Sequence, residues 1–85
     1  MAFAPSKTVL DEITDFLNAE PTPEEIIAYR LPEMLEARAH ELLERNRASQ
    51  LSLDERQEME QFMWADRFMT LLKAKARLKL SHQHE

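Results

Sequence analysis

Phe62-Met63-Trp64-Ala65-Asp66-Arg67-Phe68-Met69-Thr70-Leu71-Leu72-Lys73-Ala74-Lys75-Ala76-Arg77-Leu78 decides how this chain folds, because it writes two apolar stripes onto one helix. The first stripe is Phe62, Ala65, Met69, Leu72 and Ala76, spaced by three and four residues. The second is Trp64, Phe68, Leu71 and Leu78, which skips one turn at Lys75. A helical hairpin needs one such stripe for its own core. The other asks for a partner, whether another segment, a second copy or a different protein.

Working outward, the long helix is expected over 53–80, roughly 40 Å at about 1.5 Å per residue. Ser52 and Glu55 stand where a capping box wants them, with Leu51 as the apolar residue before the cap. The polar segment Asn46 to Gln50 precedes it, and Asn46 is the residue expected to accept a left-handed cap in place of glycine. A helix over 32–48 comes before that, with Leu31, Leu35, Ala39 and Leu42 in one narrow stripe and Met34 and Leu43 on its flanks. Glu36, Arg38, Glu41, Glu44, Arg45 and Arg47 clothe the remainder and can pair along the helix. The short connection makes the two helices an antiparallel hairpin.

Thr22-Pro23-Glu24-Glu25 marks another helix start, with Thr22 as cap, Pro23 at the first helical position and Glu25 completing the box. A short helix over 23–30 offers Ile26, Ile27 and Tyr29 until Leu31-Pro32 breaks it. The first helix is expected over 7–19, capped by Ser6 or Thr8 and ended by Pro21. It buries Val9, Leu10, Ile13, Phe16 and Leu17. Residues 1–6 read as a flexible arm and 81–85 as a flexible tail. The expected fold is all-α: one domain over 7–80, with the two amino-terminal helices packed on the hairpin.

At 85 residues, 44% of them hydrophobic and 32% charged, the chain is long enough for one small core. It has no cysteine, which excludes disulfides and thiol chemistry, and no glycine, which removes phosphate-cradling loops and glycine elbows. No apolar run approaches a membrane span, and the amino terminus lacks a signal-peptide layout, so the expected address is the cytoplasm with no membrane contact. The net charge of −5 is unevenly placed. Residues 1–66 carry six basic and fifteen acidic side chains, a net of −9, and residues 67–85 carry five cations and one carboxylate, a net of +4. Such asymmetry steers an acidic partner to one end, but cations in the last turns of a helix also offset its dipole.

Catalytic and metal constellations are weak. The acidic pairs Glu24/Glu25 and Asp54/Glu55 sit at helix starts, where carboxylates are stabilised anyway. No Glu-x-x-His pair exists for a di-metal bundle, Glu36 and His40 read as a surface contact, and His82 and His84 fall in the polar tail. No serine lies in a nucleophile turn. The reading is therefore a protein without enzymatic activity, metal or cofactor. Trp64 and Phe68 can either close a bundle beneath the first two helices or anchor an interface, since aromatics dominate binding hot spots. Met59, Met63 and Met69 suit either role. The candidate partner-binding set is Trp64, Phe68 and Leu71 as anchors, with Lys73, Lys75, Arg77 and Lys79 steering an acidic groove on another protein. Nucleic acid held by the same cations is the runner-up, and a symmetric homodimer is the third reading.

Ala28-Tyr29-Arg30-Leu31-Pro32, Glu41-Leu42-Leu43-Glu44-Arg45-Asn46-Arg47, Leu51-Ser52-Leu53-Asp54-Glu55-Arg56 and Leu71-Leu72-Lys73-Ala74-Lys75-Ala76-Arg77-Leu78, led by Pro21-Thr22-Pro23-Glu24-Glu25-Ile26, carry a resemblance. Over about residues 16–80 the chain resembles a group of small all-helical bacterial proteins, abundant in cyanobacteria and mostly without an assigned activity. In that group the loop usually carries a glycine and the helix start is threonine-proline-glutamate-glutamate. Here Ala48-Ser49-Gln50 and Ser52-Leu53-Asp54-Glu55 take their place. What the resemblance implies is an antitoxin-like or accessory partner of a neighbouring nuclease or toxin-like gene, with no site residues to carry over.

Overall fold

The computed structural model describes residues 8–83, the last by its backbone only. The expected arm at 1–6 and the last two residues of the expected tail lie outside the described residues. Four helices occupy the described chain: α1 (Val9–Asn18), α2 (Pro23–Ile27), α3 (Glu33–Arg47) and α4 (Leu53–Gln83). The fold is all-α, as the periodicity predicts, and α4 continues three residues past Leu80 through Ser81, His82 and Gln83.

Three of the helix starts are fixed by reciprocal side-chain caps. Thr8 and Asp11 open α1, Thr22 and Glu25 open α2, and Ser52 and Glu55 bridge the first turn of α4, each with both backbone hydrogen bonds near 3 Å. The box at Thr8 selects it over Ser6 as the first cap. α3 has no side-chain cap; Pro32 holds the cap position, and its carbonyl accepts from Leu35 and Glu36. α2 and α3 are thus separate helices joined by a bend.

Without glycine, two other residues take the left-handed conformation that ends helices, and Asn46 is neither of them. Ser49 (φ 57°) follows α3, and Glu20 (φ 54°) follows α1. After α3 the Gln50 N–H donates to the Arg45 carbonyl (2.8 Å) and the Ser49 N–H to the Asn46 carbonyl (3.0 Å), a complete Schellman closure that keeps Asn46 helical. After α1 only the inner bond forms, from Glu20 N–H to the Leu17 carbonyl (3.1 Å). The next residue is Pro21, which has no N–H to make the outer one.

α1, α2 and α3 all pack on α4. The molecule measures 52 × 24 × 17 Å, and α4 runs its length, about 46 Å at 1.5 Å per residue. The core joins Val9 and Ile13 of α1 to Ala65 and Met69 of α4, with Phe16, Leu17, Tyr29, Phe62, Phe68 and Leu72 packed around them. Leu35 and Leu42 are the buried residues of α3, and Ala76 is buried further along α4. The buried α4 positions repeat the Phe62–Ala76 stripe, so that stripe is the one the domain uses for itself.

The α3–α4 pair is also clamped by charge. Arg38 donates from Nε and Nη2 to the two carboxylate oxygens of Glu58, both at 2.8 Å, and Nη1 lies 3.2 Å from Glu41. Arg45 bridges Glu55 (2.8 Å) and Glu41 (3.1 Å). Pairing within α3 is as expected for its spacing; the reach from Arg38 and Arg45 across to α4 is an addition that only the fold reveals. The Glu58 hydrogen bond, helped by Glu41 and opposed by burial, drives the Arg38 guanidinium further above its ordinary range. Glu55 is held below the usual carboxylate range, first by its Ser52 backbone hydrogen bond and then by Arg45 and Arg38.

Candidate functional site

With α1, α2 and α3 packed on α4, the second stripe of that helix remains at the surface. Trp64 is 51% exposed and Leu71 and Leu78 are each 59% exposed, well above what large apolar side chains show in a core. Phe68 is half-buried: it packs against the core of Val9, Ile13, Ala65 and Met69, and its ring stacks on Trp64 with centroids 5.1 Å apart and planes 7° from parallel. The stack holds the indole over the helix surface at small further entropy cost, since Phe68 is already fixed by the core. Trp64 therefore does not lie beneath the first two helices, and of the two roles open to it the bundle-closing one does not describe this structure.

The cations of the candidate set divide between two flanks. At about 100° per residue, Lys75 falls on the Trp64–Leu78 side of α4, whereas Lys73 and Arg77 fall on the far side. Lys73 is half-buried and donates from Nζ to the carbonyl of Tyr29 at 2.8 Å, which ties α4 to the bend after α2. Its charge serves the fold directly. Lys75 and Lys79 are exposed and line a shallow cleft with Pro21, Pro23 and Ile26 at the start of α2. Arg77 is exposed. The candidate set thus contains one compact apolar group, Trp64, Phe68 and Leu71, with Lys75 and Lys79 beside its carboxy-terminal end.

One surface was not singled out from the spacing. Leu43 of α3 (45% exposed) and Met63 of α4 (44% exposed) border a groove of about 330 Å³ floored by Leu42 and Phe62 and rimmed by Asp66 and Arg67. The signal for it was Leu43 standing off the narrow α3 stripe, opposite a methionine of the long helix.

Among the described residues no three His, Cys, Asp or Glu side chains converge as metal ligands. The buried Tyr29 hydroxyl has no hydrogen-bond partner among the described residues, and burial, then the nearby Glu12 charge, pushes its pKa up, so the phenol stays neutral. Its ring packs on Phe16 (centroids 4.3 Å), as a core tyrosine does. No described helix is long and apolar enough to cross a membrane.

No protein-family model matches this chain, and neither a curated protein nor a solved structure shows significant similarity to it.

Proposed function

We propose that this protein is a non-catalytic interaction module that docks another protein surface through the outer face of α4. The observation that carries the reading is the exposure of Trp64, Leu71 and Leu78 along a helix whose other side already closes the core. A stacked aromatic pair and two leucines on rigid helix form the kind of pre-ordered anchor that interfaces use, at low entropy cost on binding. Lys75 and Lys79 at one end favour a partner with acidic character and act on encounter rate more than on lifetime. In the cell the role would be that of a small accessory subunit or antitoxin-like partner, the role implied by the resemblance to small bacterial proteins.

Immobilised protein and its Trp64→Glu/Leu71→Glu variant, exposed to native lysate and compared by mass spectrometry, test this. Both residues project from the core, so circular dichroism should show equal helix content. The wild type should retain a protein that the variant loses. Equal retention by both would remove the outer face from the binding function.

A further inference from the structure

Resting on the reading of this face as a protein contact, we infer that its occupant is a second copy of the same chain, with the two α4 helices antiparallel. Gln61, Trp64, Phe68, Leu71, Lys75 and Leu78 follow one another by alternating steps of three and four, the spacing that lets two helices interlock along a seam. The charges then choose the direction. Glu55 and Glu58 are taken up by Arg45 and Arg38 of α3, and Lys73 by the Tyr29 carbonyl; the exposed charges of α4 that lie in or beside the seam are Glu60 in its first half and Arg67, Lys75 and Lys79 in its second. Parallel pairing sets these charges beside their likes. Antiparallel pairing sets Glu60 of each copy beside the basic half of the other, and twofold symmetry makes that match twice.

The seam also fixes a register. Where alternate positions of antiparallel helices meet in layers, Phe68 lies against the partner's Leu71, and Leu71 against the partner's Phe68, at the centre. One layer out on each side, Trp64 meets the partner's Lys75, which places an ammonium on an indole face. That contact gives a reason for the one cation that interrupts the apolar stripe. Beyond it Gln61 meets the partner's Leu78. Gln57 and the partner's His82, both exposed in the single chain, come together at each end. The half-exposure of Trp64, Leu71 and Leu78 is then the surface of one half of a symmetric seam with four kinds of layer, each occurring twice.

The absence of cysteine makes the geometry directly readable. Sedimentation equilibrium over a concentration series should give a species of twice the 10.0 kDa chain mass. Leu71→Glu should raise its dissociation constant by about 100-fold, as expected for the centre of an interface, with helix content unchanged. A mixture of Gln57→Cys and His82→Cys proteins treated with a short bis-maleimide should yield the mixed cross-linked pair, while either protein alone should not link to itself. A monomer at every concentration, a dimer indifferent to Leu71→Glu, or self-linking of the separate cysteine proteins would overturn the inference. The underlying reading fails separately: if the chain stays monomeric yet lysate capture still depends on Trp64 and Leu71, the face binds a foreign protein and only the second copy is wrong.

Discussion

The two sides of α4 carry apolar bulk alike, and only one of them is covered. The inner side buries Ala65, Met69 and Ala76 with Phe62 and Leu72 packed around them, while the outer side leaves Trp64, Leu71 and Leu78 exposed and Phe68 stands between the two. Small residues let α1 and α2 approach the long helix closely, since interaxial distance follows side-chain size. Trp64, Leu71 and Leu78 sit outside that contact, where they add little to the isolated fold. Hydrophobicity alone does not separate the two sides; the three-dimensional fit of the amino-terminal helices decides which is core.

The sharpest way to break this contrast is to truncate one residue on each side. Ile13→Ala, at a fully buried position facing Ala65 and Met69, should lower unfolding free energy by about 3 kcal/mol, the cost of a core cavity. Leu78→Ala, measured by denaturant at a concentration low enough to keep the chain monomeric, should change it by less than about 0.5 kcal/mol. Comparable losses would mean that the outer stripe supports the monomer after all. Ala65→Leu probes the close approach itself. It adds apolar bulk where there is no room and should cost about 2 kcal/mol through overpacking; a neutral or stabilising result would show that the inner contact is loose.

Much of this architecture was legible in the sequence. The boxes at Thr22/Glu25 and Ser52/Glu55 are local, each closed within four residues, so their positions could be read directly. Both stripes of α4 were visible too, because a 3.6-residue period needs no tertiary knowledge. What spacing could not supply was the assignment of each cation. Lys73 looks like its neighbours until the bend at Tyr29 brings a carbonyl within 2.8 Å of it. Arg38 and Glu58 are twenty residues apart, and only the hairpin register joins them. The left-handed position falls on Ser49 rather than Asn46 because the closing bonds run from Gln50 and Ser49 back to Arg45 and Asn46, which holds Asn46 in the last helical turn.

Two smaller effects sharpen the comparison by altering the frame of the inner side while leaving both stripes intact. Ser49→Gly removes the side-chain clash of a left-handed residue at the α3–α4 turn and should raise stability by about 1 kcal/mol, read as a higher denaturation midpoint at unchanged slope. A loss would show that the serine side chain has a role in the turn. Acid should weaken the same end of α4. Because the folded state holds Glu55 below the usual carboxylate range, its contribution is complete above that range. It disappears as the pH falls through the depressed value, where protonation breaks the cap and the Arg45 bridge. Glu55→Gln should therefore flatten part of the acid-side decline in thermal midpoint, and an unchanged slope would place the proton uptake on other carboxylates.

The most direct test of the outer stripe uses the only tryptophan in the chain. Acrylamide quenching of Trp64 fluorescence should be weak in concentrated wild-type protein, where the second copy covers the indole, and strong in Leu71→Glu at the same concentration. Identical quenching in the two proteins, whether both shielded or both open, would contradict a second copy seated on this face of α4.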